Sequence, residues 1–421
     1  MLGSRTFAPG PLRGELAVPG DKSVSHRALM VAASVGNPIA ISHLNPGHDV
    51  RATLEALRAL GVQIDRNGTG AVVTGSELQP SRAPIDCMNS GSTARMLLGV
   101  CAGANVPVAL DGDASLRQRP MEPVAAQLRA FGARIETSAG CLPLDFRGRG
   151  AVETRSFILL APSAQVKSAL LLAALYARTP IAIAGDRGSR DHTERLLGHL
   201  DADIRWNGRS VAFSPRPLRP LNLEIVGDFS SAAFFITAAA ITPGSAILVR
   251  DVGVNPTRTG LLEALRTMGA RIEERNARDC AGEPMADIAV ESTPLRAAHI
   301  DADLALRAID EIPLLALAAA FADGETRIAG SGDLRTKESD RIAAIERLLG
   351  AVGIAATHES GELRIRGGRP APCGTPVETH GDHRIAMATA VLARAAGPLA
   401  VDETQSAGVS FPGFFETLER V

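Results

Sequence analysis

The chain has 421 residues, 45% of them apolar, which is enough to bury cores in two domains. Its 44 Lys and Arg against 46 Asp and Glu leave a net charge of -2, so there is no global basic footprint for nucleic acid or anionic membrane. Aromatic residues make up only 3%, which argues against base-stacking platforms and membrane-interface belts.

The opening MLGSRTFAPGPLRGEL carries neither an apolar signal core nor a Ser- and Arg-rich presequence, and no apolar run approaches a bilayer span, so a cytoplasmic protein is expected. The stretch GDKSVSHRAL (residues 20–29) reads as a Gly-Asp turn opening onto a helix that carries Lys22, Ser23, Ser25 and Arg27, with Ser23 a plausible N-cap. Unpaired N–H groups and partial positive charge at a helix start, with a lysine, hydroxyls and an arginine added, suit a phosphate or carboxylate. An ordinary capped helix with solvated cations is the alternative.

Further along, DVRATLEALRALGVQI from Asp49, MEPVAAQLRAFGARI from Met121, TRTGLLEALRTMGARI from Thr257 and ESDRIAAIERLLGAVGI from Glu338 each read as an amphipathic helix, a glycine stop and a strand. HTERLLGHLDADI from His192 is a weaker copy, and FPGFFETLERV from Phe411 supplies a last helix. The copies fall roughly 70 residues apart, the size of a small βαβ-type module. Ahead of each lies a second helix that is apolar nearly all round, beginning near Arg27, Thr93, Lys167, Ser231, Ile312 and Arg384, and therefore placed inside the domains.

Each of these buried helices starts with polar residues: Lys22-Ser23, Asn89 to Thr93, Ser163-Ala164-Gln165, Asp228-Phe229-Ser230, Asp310-Glu311, and Gly381 to Arg384. Capping accounts for the Ser, Asn and Asp, but not for recurring Lys, Gln, His and Arg. If the helices run parallel within a domain, their positive ends converge, and two such faces would enclose a highly anionic ligand. The proline-rich 214–220 segment precedes an expected crossover near Val226 to Asp228, giving a first domain at 14–226 and a second formed by 1–13 and 227–421. The five cysteines, Cys87, Cys101, Cys141, Cys280 and Cys373, form no metal-ligand spacing and are expected as reduced thiols, with no metal and no cofactor.

In its motifs GDKSVSHRAL, NSGSTAR at Asn89, SLRQRPM at Ser115, SAQVKSALLLA at Ser163, SRDHTE at Ser189, IDEIP at Ile309, LRTKESDR at Leu334 and GDHRIAM at Gly381, the chain resembles the 5-enolpyruvylshikimate-3-phosphate (EPSP) synthase family, in its bacterial subgroup. The resemblance runs from the first motif to the terminal SFPGFF. It implies an α/β (α+β) fold of two similar domains, each of three βαβαββ-type repeats around buried parallel helices, joined by a double hinge. It also implies transfer of the enolpyruvyl group of phosphoenolpyruvate to the 5-hydroxyl of shikimate 3-phosphate with release of phosphate, a step toward chorismate and the aromatic amino acids.

By that resemblance Lys22, Ser23, Arg27, Ser163, Ala164, Gln165, Ser189, Arg190, Asp310 and Lys337 bind shikimate 3-phosphate. Lys22, Gly91, Arg119, Gln165, Glu338, Arg341 and Arg384 cradle phosphoenolpyruvate, and Arg95 is a supporting cation. Asp310 accepts the hydroxyl proton, Glu338 exchanges the methylene proton, Lys22 is a further proton carrier and His383 positions or assists. Taken alone, KESDR reads better as a surface i, i+3 ion pair of Glu338 and Arg341, and DEIP as a capped helix with Pro313 in its first turn; only the joint pattern favours a site. Where some members carry a lysine two residues before the phenylalanine of the terminal motif, this chain has Val409, and Asp333 stands where some have asparagine. Gly91 leaves space in which glyphosate would compete with phosphoenolpyruvate. Two alternatives stay open: the sister enolpyruvyltransferase acting on UDP-N-acetylglucosamine, whose loop cysteine GDASLRQRPM lacks, and a non-catalytic ligand-binding paralogue. The expected partners are the two small-molecule substrates only, and separate cores in the two halves predict a monomer.

Overall fold

The computed structural model describes residues 5–336, 338–374 and 377–421. The chain divides into an N-terminal unit, Gly20–Val226 with Asp279–Glu283, and a C-terminal unit formed by Met1–Pro19, Gly227–Arg278 and Pro284–Val421.

In the N-terminal unit one repeat shows the construction in full. Strand Ile85–Asp86 leads to helix Gly91–Ala104, strand Val108–Asp111, helix Glu122–Ala130 and the hairpin Ala133–Ser138/Cys141–Arg149. The first strand runs parallel to the second (Ile85 opposite Leu110), and the hairpin joins antiparallel through Val108 opposite Phe146. The next repeat repeats this with Ser156–Ile158, helix Ala164–Ala177, Ile181–Ala184, helix His192–His199 and the hairpin Asp203–Trp206/Ser210–Ser214. The repeat that opens with helix Lys22–Ala32 draws its first strand from the far end of the unit, Leu223–Glu224, which pairs in parallel with Ile39–Ser42.

The C-terminal unit follows the same plan with a similar loan from the chain start. Arg13–Ala17 runs parallel to Ala246–Gly253, Leu16 opposite Val249, and opens the repeat containing helix Phe229–Ile241. This pairing is why residues 14–19, expected in the first domain, lie in this unit. A second correction is that the tip of the hairpin Arg271–Cys280/Glu283–Glu291, residues 279–283, groups with the N-terminal unit. The following repeat has His299–Ile300, helix Ile312–Ala320, Glu325–Ile328, helix Arg341–Gly350 and the hairpin Ala356–Glu359/Glu362–Arg366. The last is reduced: Val377 bridges Val401 in parallel, helix His383–Ala396 follows, and the single strand Arg5–Phe7 pairs antiparallel with Leu399–Val401 in place of a hairpin.

The apolar helices form the cores, as their sequence pattern requires. Every residue of Phe229–Ile241 and of Ile312–Ala320 is buried. Each large apolar side chain so enclosed contributes about 1.5–3 kcal/mol. Alanine and glycine take the place of aromatic bulk because the helices approach closely. A Cβ on Gly99 would lie 2.3 Å from the Ala169 carbonyl oxygen, and one on Gly103 would lie 2.4 Å from that of Ala173, so only glycine permits the contact of helices Gly91–Ala104 and Ala164–Ala177. Among the described residues no helix is long and apolar enough to cross a membrane.

Candidate active site

In the N-terminal unit the three apolar helices begin with side-chain caps one hydrogen bond strong. Asp21 accepts from the Val24 N–H at 2.9 Å, Ser90 from Thr93 at 3.1 Å and Ser163 from Val166 at 3.4 Å. The cap of the first helix is therefore Asp21 and not Ser23, which sits inside the first turn; a carboxylate two residues earlier reaches the third N–H with the extended backbone a cap needs.

Hydrogen bonds tie the starts of these helices together. Lys22 pairs with Asp49 at 2.7 Å, an acidic residue in the first turn of helix His48–Ala59. Arg27 donates to the Ser23 carbonyl, Ser168 Oγ and Thr193 Oγ1 at 2.7, 2.9 and 2.8 Å. Burial pushes its pKa down to about 10, which leaves it charged at neutral pH. Arg95 donates to Gln165 Oε1 at 2.7 Å, and the Gln165 amide donates to Ser92 Oγ at 3.0 Å. Arg119 grips Asn89, at 2.5 Å to its side-chain oxygen, and Ser115 at 3.3 Å. A Cβ on Gly91 would stand 2.6 Å from an Arg95 guanidinium nitrogen and 3.7 Å from one of Arg119, so the missing side chain keeps this helix start open beside two cations.

Ser189 and Arg190 join this group through a buried lysine. Lys167 binds Asp186 at 2.6 Å, Glu194 at 2.7 Å and the Ser189 carbonyl at 3.3 Å, fastening the loop that carries both residues. Burial works against its charge, but Glu194 and Asp186 more than offset this and hold its pKa above the usual lysine value. Arg190 lies close enough to Arg27 for its charge to depress the Arg27 pKa.

A buried polar chain runs behind these groups from His26 Nδ1 to Thr53 at 2.7 Å, on to Thr93 at 2.8 Å and to the cap Ser90 at 2.8 Å. Burial pushes the His26 pKa down to about 3, so the ring is neutral. The unfolded chain binds a proton here below about pH 6.5 that the folded chain refuses, so His26 costs stability as pH falls, about 1.4 kcal/mol per unit. Between pH 7.5 and 5 the urea midpoint should therefore fall further for the wild type than for His26→Asn. Parallel curves would mean that folded His26 takes up the proton.

The C-terminal unit gathers the other predicted residues. Arg341, 1% exposed, donates to Asp382 at 2.9 Å and to Glu338 at 2.6 Å, with Asp310 at 3.7 Å. The i, i+3 pair with Glu338 is thus present, but on a buried arginine instead of a surface one. Burial opposes the charge of Arg341, yet Asp382 and Glu338 outweigh it and raise its pKa further. Burial alone would likewise raise the Asp382 pKa, and Arg341 more than reverses this and holds it below the usual carboxylate range. Arg384 donates to the Asp310 carbonyl at 3.1 Å and to Ser230 Oγ at 3.3 Å, and lies 3.8 Å from the Asp310 carboxylate. His383 is buried at the first position of helix His383–Ala396, capped by Asp382. Lys337 lies outside the described residues, as does the side chain of Asp333.

Several supporting residues have no role assigned from the sequence. Asp49 and Asp382 are the counter-charges of Lys22 and Arg341, and Ser230, Glu311 and Arg258 join Arg384. Ser230, Glu311 and Asp382 stand at starts of apolar helices and carried a positional signal; Arg258 precedes an amphipathic helix and carried none.

In each unit, then, the starts of apolar helices bring together guanidinium or ammonium groups, hydroxyls and carboxylates. Among the described residues no group of His, Cys, Asp or Glu could hold a metal ion. This is the construction of a protein that handles small, multiply charged anions. A family model for EPSP synthase (3-phosphoshikimate 1-carboxyvinyltransferase) matches residues 7–418. The 3-phosphoshikimate 1-carboxyvinyltransferase of Alkalilimnicola ehrlichii is 45% identical over 97% of this chain and 93% of its own, and that of Syntrophotalea carbinolica 44% identical over 98% and 97%. The solved EPSP synthase of Acinetobacter baumannii superposes with a TM-score of 0.87 at 36% identity, covering 99% of this chain and 98% of its own. The enolpyruvyl transferase NikO of Streptomyces tendae, at 18% identity and a TM-score of 0.78, shares the fold. The chain belongs to the EPSP synthase family.

Proposed function

We propose that the residues gathered at these helix starts carry out the family's reaction. The chain transfers the enolpyruvyl group of phosphoenolpyruvate to the 5-hydroxyl of shikimate 3-phosphate, giving 5-enolpyruvylshikimate 3-phosphate and phosphate. The observation that carries the assignment of roles is a difference in access within one cluster. The side chains of Asp310 and Glu338 are 17% and 23% exposed, whereas those of Asp382 and Glu311 are sealed at 0%. Proton transfer needs a group the substrate can reach, so the first pair acts and the second pair holds arginines in place.

In the addition step Asp310 takes the proton of the 5-hydroxyl as its oxygen bonds to C2 of phosphoenolpyruvate, and Glu338 delivers a proton to the methylene carbon. In the elimination the bond from C2 to the phosphate oxygen breaks, a methyl proton returns to Glu338, and the departing phosphate takes up the proton held by Asp310, which restores both carboxyl groups. Arg341 and Arg384, together with Lys22, Arg119 and the Gln165 amide, bind and stabilise phosphoenolpyruvate, with Gly91 giving its backbone room to approach. Lys22, Ser23, Arg27, Ser163, Ala164, Gln165, Ser189, Arg190 and Lys337 hold shikimate 3-phosphate, and His383 orients the neighbouring groups. The loop 112–121 has no cysteine, which favours this acceptor over a nucleotide sugar. We read the protein as a cytoplasmic monomer: each unit buries its own core, and the five cysteines are free thiols, as in a reducing compartment.

Calorimetric titration of the protein with shikimate 3-phosphate and, separately, with UDP-N-acetylglucosamine tests the acceptor. Saturable heat with the first and none with the second is expected, and the reverse would overturn the reading.

A further inference from the structure

Three side chains of the C-terminal unit meet at the hydroxyl of a fourth. Ser230, second in helix Phe229–Ile241, accepts from Arg258 at 2.7 Å and from Arg384 at 3.3 Å, and it also contacts Glu311 Oε1. A serine hydroxyl has one proton and two lone pairs, and a guanidinium can only donate. The two arginines therefore occupy the lone pairs, and the proton goes to Glu311. Every bond the hydroxyl can make is used, and each has its direction fixed. Glu311 is fully buried, and its Oε1 also lies 3.6 Å from Arg384. The other Glu311 oxygen accepts no hydrogen bond from the described residues, so the carboxylate is anchored through Oε1.

Ser230, Glu311 and Arg384 come from the starts of three apolar helices of three successive repeats, and Arg258 from just ahead of helix Gly260–Thr267. Arg384 is thus held along one edge by Ser230 and Glu311 and by the Asp310 carbonyl. We propose that Ser230 is a positioning residue, locked by Glu311 and Arg258, that orients the Arg384 guanidinium for phosphoenolpyruvate. It touches no substrate. The inference rests on the reading of Arg384 as a phosphoenolpyruvate ligand.

Ser230→Ala removes the hub and leaves both arginines and the carboxylate in place. A hydrogen bond to a charged group of this kind corresponds to about a tenfold effect. KM for phosphoenolpyruvate should rise about tenfold while the dissociation constant of shikimate 3-phosphate stays at the wild-type value; the melting temperature falls, because the buried Glu311 carboxylate loses its hydrogen bond. A merely structural serine would leave KM for phosphoenolpyruvate unchanged or weaken both substrates together, and either result overturns the inference. Arg384→Ala, measured alongside, separates the two layers. If it raises KM for phosphoenolpyruvate and Ser230→Ala does not, the positioning role is wrong; if Arg384→Ala itself leaves KM unchanged, the reading of Arg384 falls. Should Ser230→Ala not fold, Glu311→Gln keeps shape and acceptor but removes the charge that orients the hydroxyl. A smaller rise in the same KM is then expected, and no change would overturn the proposal.

Discussion

Asp310→Asn should lower kcat by roughly a hundred- to ten-thousand-fold while leaving the affinity for shikimate 3-phosphate near that of the wild type. The substitution keeps the size of the side chain and removes only its ability to take a proton. Asp310 sits 3.7 Å from Arg341 and 3.8 Å from Arg384, so its charge also helps to balance two guanidinium groups. That balance does not depend on Asp310 alone, because Asp382 and Glu338 bind Arg341 more closely and Ser230 and the Asp310 carbonyl hold Arg384. The cluster should therefore survive the loss, and the cost should fall on the chemical step. Single-turnover rates and shikimate 3-phosphate titrations on the same preparation measure the two quantities. Equal losses in both would make Asp310 a binding residue and move the base elsewhere.

Arg341→Met should cost about 3–5 kcal/mol of stability, because it strands the Asp382 carboxylate in a site with 0% exposure. It should also remove nearly all turnover, since the same guanidinium faces Glu338 and Asp310. The pH dependence gives a sharper signature than the size of the loss. In the wild type the Asp382 pKa is depressed, so its contribution is complete above the unfolded carboxylate value near 4. It is lost as pH falls through the lower folded value. In the variant the buried carboxylate has lost its counter-charge and its pKa should rise above the unfolded value. The variant should then gain stability relative to the wild type on acidification from pH 7 to 4.5. Denaturant midpoints across that range check this, and a constant gap between the two proteins would show that Arg341 does not govern the ionisation of Asp382.

Much of the candidate site can be read from the sequence because helices announce their starts locally. Lys22, Gln165, Asp310 and Arg384 each stand where an apolar run begins, and the repeat places them at equivalent points. What the sequence conceals is set by distant partners. Asp21 and Ser23 are both good capping residues, and only backbone geometry selects Asp21. The Glu338–Arg341 spacing correctly signals an ion pair, but burial of Arg341 depends on Asp382, 41 residues further on. Arg13–Ala17 could not be assigned to a unit from its own composition, because its partner strand is Ala246–Gly253. Arg258 is the clearest case: a surface-looking arginine ahead of an amphipathic helix is one of the largest fully buried side chains and donates to Ser230.

Phosphate release from phosphoenolpyruvate by the purified protein, with shikimate 3-phosphate or UDP-N-acetylglucosamine as acceptor, shows whether these helix starts serve enolpyruvyl transfer to shikimate 3-phosphate. Release that requires shikimate 3-phosphate and is abolished in Asp310→Asn is the predicted result. Release with the nucleotide sugar alone, or binding of shikimate 3-phosphate with no release at all, would contradict it.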